Sequence, residues 1–502
     1  MPELPEIAGW AESPRILVGP AALPVNRVLR AGQIATAGQE MELYDMARRL
    51  AAVALAAVDP ERLVRQALAA RPRRWAAALA LGKAAPAMAR GAGEALRHLA
   101  ADRAGADRAE MDRAAADRTE ADAAGADRAA ADGAGGAQRR QRLLVRTHGT
   151  PGLLDPAWEQ LSGGHPLPDR QSLAAGERVL RWLGEMAPGA PLLALVSGGS
   201  SACVEAPAGG LTLEELIATQ RALLGSGLPI HAFNAVRKHL SELKGGGALR
   251  ASRGPVLALL LSDVPGDDPG TIGSGPFAAD PTTYAEALAA VAPLAVPERV
   301  RQRLAAGARG KLPETVKPGD PELAHVESVL IGSVATAVEA AAGEARRGGF
   351  AVAMGELAGE AAAAGRALVE RGRALGAGGG GRVALVLGGE TTVTLGPAPG
   401  RGGRNQELAL AAARALAGGR GELVLTLATD GEDGPTPYAG AIVDGASWAA
   451  IERAGVDPAA ALAGHDAQTA LAALPGALLE TGRTGTNVGD LAVYLRLEGA
   501  RP

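Results

Sequence analysis

An α/β fold, with mainly parallel sheets flanked by helices, is predicted by two features of the sequence. Short Ala/Leu/Val-rich runs closed by Gly or Ser recur along the chain, and helical stretches lie between most of them. Strands that alternate with helices form parallel sheets covered on both faces, and such strands read as near-continuous apolar runs. A length of 502 residues supports two or three domains.

From Glu42 to Ala70, Leu43, Met46, Leu50, Val53, Ala54 and Ala57 recur at helical spacing. Asp59-Pro60 then opens a second helix, with Pro at its first turn. Trp75–Leu81 is a short apolar run ending in Gly82-Lys83, which predicts a strand entering a helix over Ala84–Leu99. Further strands are expected at Leu192–Val196, Val256–Ser262, Val329–Gly332, Val383–Leu387 and Leu423–Ala428.

Three regions fall outside this alternation. Residues 1–40 show scattered Pro without period and read as a poorly structured extension. Between 100 and 142, Asp recurs every five residues from Asp102 to Asp132, mostly as ADRAx. A five-residue period cannot build an apolar helical stripe, so a solvated low-complexity insert is expected. Ala292–Glu322 and the glycines of Gly376–Gly381 read as hinges or linkers. The expected domains are 41–295, a connecting segment with helices over 296–380, and 381–502.

Composition excludes several functions. With 51 Lys+Arg against 55 Asp+Glu and a net charge of −4, the chain lacks the basic excess of a general nucleic-acid binder. One cysteine, Cys203, excludes an internal disulfide framework and a Cys-based zinc site. No apolar run is long enough to cross a bilayer, and the N-terminus lacks a signal-peptide pattern. A soluble cytoplasmic protein with no membrane or nucleic-acid partner is expected.

Chemistry concentrates in five polar stretches that follow or flank strands, where α/β proteins bind ligands. LALGKAAPAM places Lys83 in a strand-to-helix turn, from which it can reach a bound anion or simply face solvent. LVSGGSSACVEAP presents Ser197, Gly198, Gly199, Ser200 and Ser201 directly after a strand. That composition suits a phosphate cradle or an unliganded turn, and matches neither a Walker loop nor a GxSxG elbow. FNAVRKHLSELKGGG sets Asn234, Arg237, Lys238, Ser241 and Lys244 at spacings that let most share a helix face, solvated or anion-binding.

In LLLSDVPGDDPGTIGSGP, a strand delivers Asp263 and a Pro-Gly turn presents Asp267 and Asp268. Adjacent carboxylates repel unless a cation or donors offset them. Mg²⁺ joins one or two carboxylates to substrate phosphates, so the pair fits either a metal–nucleotide site or plain turn chemistry. The last stretches carry Glu390 after a strand, Arg401 and Arg404 in a Gly loop before a helix, Asp430 and Asp433, then Thr484, Thr486, Asn487 and Asp490. The histidines are isolated; His165 and His239, nearest these motifs, read as structural.

Taken together, LGKAAPAMA, HPLPD, VSGGSSA, NAVRKHLSELKGG, LLSDVPGDDPGTIGSGP, GGETTVTLGPAPGRGGRNQELAL, ATDGEDGP and GTNVGDL resemble the glycerate 2-kinase family, whose C-terminal part is the MOFRL domain. They cover roughly Glu42–Leu495, apart from the ADRAx insert. Ser200, Ala428 and Arg483 depart from the usual family residues.

The resemblance implies ATP-dependent phosphorylation of D-glycerate on its 2-hydroxyl, with ATP and Mg²⁺ as cofactors. It implies a Rossmann-like N-terminal domain and an active site in the interdomain cleft, and is compatible with a homodimer. Lys83 and Arg404 become the central residues, with Asp263 or Asp268 as acceptor of the hydroxyl proton. Ser197–Ser201, Lys244, Asp430, Thr484 and Asn487 would hold the nucleotide. Asn234, Arg237, Glu390 and Arg401 would hold the acid, and Asp267 and Asp268 the metal. Two other readings are an NAD(P)H-dependent hydroxypyruvate or tartronate semialdehyde reductase and a non-catalytic binding protein. The reductase requires a GxGxxG turn after a strand with a downstream acid, which is absent.

Overall fold

A computed structural model describes residues 38–97, 141–377 and 381–501. Residues 1–37 of the expected extension, most of the ADRAx insert and part of the glycine run lie outside the described residues, while 38–40 begin a helix. The described chain divides into two compact units. One holds Pro60–Gly332 and Gly485–Asn487; the other collects the described residues up to Asp59, Ser333–Thr484 and Val488 onward.

The described chain opens with α1 (Gly38–Ala57) and α2 (Pro60–Ala69), where the apolar spacing predicts helices. In the first unit the strands are β1 (Ala77–Leu81), β2 (Arg142–Thr147), β3 (Glu159–Gly163), β4 (Leu192–Ser197), β5 (Val256–Leu261) and β6 (Val326–Gly332). They form one sheet in the order β3-β2-β1-β4-β5-β6, every neighbouring pair parallel. Every residue of β1, β4 and β5 is buried, as apolar strands inside a parallel sheet must be.

The longer helices of this unit are α2, α3 (Ala85–Ala92), α4 (Arg170–Gly184), α5 (Leu213–Leu224), α6 (Ile230–His239), α7 (Tyr284–Val291) and α8 (Glu298–Ala308). Reciprocal caps start several of them: Asp169 with Ser172 at α4, Thr212 with Glu215 at α5, and Thr283 with Glu286 at α7.

The second unit adds α9 (Val334–Arg347), β7 (Ala351–Leu357), α10 (Ala361–Gly376), β8 (Val383–Gly389), α11 (Arg404–Leu416), β9 (Arg420–Ala428), β10 (Gly440–Asp444), β11 (Leu478–Leu479) and β12 (Asp490–Arg501). Its sheet runs β11-β10-β9-β12-β8-β7. Leu385 and Leu387 pack with α10 and α11, while Gly388 meets Val334 and Val338 of α9. Alternation along a strand therefore gives each face its own helices.

Three expectations need correction. The second sheet is mixed, with only β7 and β8 parallel. β12 inserts between β8 and β9 and runs against both, while β9 returns to β10 through a helix-free loop too short for a parallel crossover. Next, α1 belongs to the second unit: its stripe of Leu43, Met46 and Leu50 is buried, and Met46 touches Gly348 at the end of α9. α9, β7 and α10 are likewise parts of this unit and not a connecting segment.

Finally, 292–322 is no linker. Val300 and Leu304 of α8 are buried with Leu216, Val236 and Tyr284 in one apolar cluster. Beside it, Asp280 (0% exposed) receives Lys238 Nζ (3.1 Å) and the hydroxyls of Thr282 (2.7 Å) and Thr315 (2.8 Å). Among the described residues, no helix is long and apolar enough to cross a membrane.

Burial opposes ionisation of Asp280, but Lys238 and the two hydroxyls outweigh it and hold its pKa below the usual carboxylate value. Asp280→Asn leaves Lys238, 4% exposed, without a counter-charge. A loss of about 3 kcal/mol in urea unfolding at neutral pH is expected. Because the native pKa is depressed, the wild-type advantage is lost as pH falls through it, so the two proteins converge in acid.

Candidate active site

In the first sheet the strand order reverses between β1 and β4, so the connections after these strands leave toward opposite sides and open a crevice at their carboxyl ends. The Gly82-Lys83 turn follows β1 and the Ser197–Ser201 turn follows β4. Lys83 N–H donates to the Gly198 carbonyl (2.9 Å), and Ala84 N–H donates to Ser197 Oγ (3.1 Å). Ser197 Oγ in turn donates to the Leu81 carbonyl (3.0 Å). Gly82 has φ +106°, and a Cβ there would fall 2.5 Å from the Ser197 carbonyl. Only glycine allows this turn.

Gly199, at φ +79°, lies under three strand ends. A Cβ on it would meet Lys83 Cγ at 3.1 Å, Thr147 Cγ2 at 3.1 Å and His165 Cδ2 at 3.3 Å. A Cβ on Gly198 would strike the Asp263 carboxylate, which follows β5. Asp263 Oδ2 also accepts from Asn487 Nδ2 (3.2 Å), which reaches this unit within the Gly485–Asn487 segment. Ser200 Oγ is buried with no hydrogen-bond partner among the described residues.

The expected anion-binding face of α6 divides. Arg237 turns toward the turn after β4, donating to the Ser201 carbonyl (2.9 Å) and Oγ (3.0 Å). Lys238 points to Asp280, and Asn234 is buried. Ser241 and Lys244 lie beyond the end of the helix, and both bind Glu205: Ser241 Oγ at 2.7 Å, and Lys244 through an ion pair. Burial pushes the Lys244 ammonium down to about 8 in spite of Glu205. Lys244 is thus committed inside the unit. Asp268 is also largely committed, accepting from Gly270 N–H (3.2 Å) and Thr271 Oγ1 (2.7 Å), while Asp267 occupies a left-handed turn position (φ +55°). This is the turn chemistry that the sequence left open.

In the second unit, Asp490 opens β12 directly between the carboxyl ends of β8 and β9. Arg404, the first residue of α11, donates from Nε to Asp490 Oδ2 (2.5 Å), from Nη2 to Oδ1 (3.3 Å), and from Nη1 to Glu390. Asp433 caps the same helix, accepting from Asn405 N–H (3.1 Å) and Gln406 N–H (2.8 Å). Burial works against the Arg404 charge, but Asp490 and Glu390 prevail and raise its pKa. Burial lifts the Asp490 carboxyl up to about 7, with Arg404 pulling the other way.

Thr484 Oγ1 donates to the Thr429 carbonyl (2.6 Å), and Asp430 Oδ1 accepts from Glu432 N–H (3.2 Å), so both help to close their own loops. Arg401 is exposed, its backbone tied to Asp466 and Gln468.

The structure therefore gathers Lys83, Ser197–Ser201, Arg237, Asp263 and Asn487 in one unit, and Glu390, Arg404 and Asp490 in the other. Sequence reasoning did not assign Glu205, although it lies in VSGGSSACVEAP, and read His165, which lies in HPLPD, as structural. Nothing in one sequence shows which polar residue meets which. Among the described residues no group of three or more His, Cys, Asp or Glu gathers as a metal cage. Mg²⁺ brought by a nucleotide needs only one or two carboxylates.

Arg404→Ala would leave Asp490, 1% exposed, with no guanidinium. The native Asp490 pKa lies above its unfolded value, so the folded form is favoured with the proton bound and loses stability as pH rises from about 4 to about 7. Removing the cation raises that pKa further. The variant should thus be destabilised more at about pH 8 than at about pH 5, which urea unfolding at both values checks.

The family models that match the chain are "Domain of unknown function (DUF4147)", over residues 46–306, and "MOFRL family", over 383–490. A glycerate 2-kinase of Pyrococcus horikoshii is 39% identical over 348 residues, 67% of this chain and 77% of its own length. An Agrobacterium vitis protein with the provisional name hydroxypyruvate reductase is 41% identical over the same shares. The crystal structure of a glycerate kinase from Thermotoga maritima superimposes with a TM-score of 0.74 at 34% identity, covering 91% of this chain and 100% of that one. On both sequence and fold, the chain belongs to the glycerate kinase family.

Proposed function

We propose that the chain transfers the γ-phosphoryl group of ATP to the 2-hydroxyl of D-glycerate, giving 2-phospho-D-glycerate and ADP. The observation that carries this reading is the meeting of Lys83, the Gly198-Gly199 turn and Arg237 at the strand-order reversal, in a chain 39% identical to a glycerate 2-kinase. Phosphoryl transfer needs positioning and fixed positive charge more than covalent chemistry. The side-chain-free turn at Gly198-Gly199 and the unpartnered Ser200 hydroxyl fit an anionic ligand at this crevice.

Lys83 serves as a point charge on the transferred group, and Arg237, anchored on Ser201, faces the acid's carboxylate. Asp263 accepts the hydroxyl proton, oriented by Asn487; Asp268 is the poorer candidate because its turn already uses both its oxygens. Mg²⁺ carried by ATP would neutralise phosphate charge, and Asp267 is the carboxylate of this chain suited to meet it. Arg404 contributes a guanidinium held in place by Asp490 and Glu390, and Arg401 a solvent-facing one.

Purified protein given ATP and D-glycerate should release ADP, with ³¹P and ¹³C NMR placing the phosphate on the 2-position. NADH oxidation by hydroxypyruvate without ATP would favour the reductase instead. Lys83→Ala should lower kcat by at least about 100-fold with the unfolding midpoint unchanged. Arg404→Lys, which keeps a cation beside Asp490, should lower kcat/KM for D-glycerate about tenfold, read by ADP release.

A further inference from the structure

The carboxyl ends of β1, β2 and β3 bring Lys83, Thr147 and His165 together around Gly199. The polar groups here differ in what they have left to offer a ligand. Thr147 Oγ1 is paired with Thr150 Oγ1 (2.8 Å), and Ser197 Oγ joins the two turns. The His165 imidazole makes no hydrogen bond to a described residue; the residue reaches solvent, while its ring is partly enclosed by its neighbours. Its ring feels both Lys83 and Arg237.

A site with two cations and one neutral imidazole suits a small anion that also carries a hydroxyl. The cations take the charge, and the imidazole can donate one hydrogen bond and accept another. Partial burial of the ring, reinforced by Lys83 and Arg237, pushes its pKa down to about 4, so it remains uncharged at neutral pH. A third cation would hold product as firmly as substrate; a neutral group discriminates by geometry.

We infer that His165 is a substrate-binding residue that hydrogen-bonds the terminal, non-reacting hydroxyl of the hydroxy acid, beside Arg237, which takes its carboxylate. The inference rests on the kinase reading above. The 2-hydroxyl is assigned to Asp263, which leaves the terminal hydroxyl as the group for the imidazole. His165 is thereby a specificity determinant, separating glycerate from 2-hydroxy acids that lack this hydroxyl.

The test compares wild type, His165→Ala and His165→Asn in steady-state ADP release, varying D-glycerate and ATP separately, with D-lactate as a competitor lacking the terminal hydroxyl. His165→Ala should raise KM for D-glycerate about tenfold while kcat and KM for ATP stay within about twofold. The inhibition constant of D-lactate should not change, and His165→Asn should recover part of the loss. A rise confined to KM for ATP would place the imidazole on the nucleotide and overturn the assignment. So would an equal weakening of D-lactate, unchanged kinetics, or a fall in kcat that tracks the unfolding midpoint. If the wild-type protein phosphorylates no glycerate, the kinase reading itself fails, and that result is obtained before any variant is compared.

Discussion

The first unit depends on one hydroxyl. Ser197 Oγ, fully buried at the end of β4, accepts from the Ala84 amide and donates to the Leu81 carbonyl, so it stitches the turn after β1 to the turn after β4. Adjacent parallel strands with oppositely directed connections would otherwise leave backbone groups unpaired at this point, a cost of about 1–3 kcal/mol each. The same bond sets the spacing at which Gly82 is the only residue that fits and Lys83 enters the crevice. Ser197 therefore acts through the backbone.

Charge is distributed on a similar principle in both units. Lys238 with Asp280 and Lys244 with Glu205 are buried pairs that hold secondary elements together. Arg404 with Asp490 and Glu390 is a partly open one at the ends of β8, β9 and β12. Lone buried charges are too costly to keep, so a basic residue in a polar motif is as often a partner for a buried carboxylate as a hand extended to a ligand. FNAVRKHLSELKGGG shows both fates: of its three cations only Arg237 turns to the Gly/Ser turn, and it does so through Ser201.

Much of the fold was legible because its signals are local. The apolar runs at β1, β4, β5 and β8 end where Gly or Ser follows, and α1 and α2 occur where period and Pro60 put them. β12 was not legible: its residues DLAVYLRLEGAR carry no sign that they insert between two distant strands. Nor could the sequence show that α1 packs on α9 some 300 positions away, because an apolar stripe names no partner. For the site, the Gly/Ser turn, Lys83 and Asp263 were visible as motifs at strand ends. Glu205 was present in a quoted motif without a role, and His165 read as structural, since the part each plays depends on its neighbours.

By itself the sequence determined the α/β class, the order of the strand-end motifs and the residue types available for anion chemistry. These follow from periodicity, glycine placement and composition, which are properties of consecutive residues. Only the tertiary structure decided that the second sheet is mixed, that Lys244 and Asp268 are spent on internal bonds, and that Lys83, Thr147 and His165 converge on Gly199. Those outcomes turn on distances between residues far apart in the chain, and burial and hydrogen-bond satisfaction settle such distances only once the whole chain has packed.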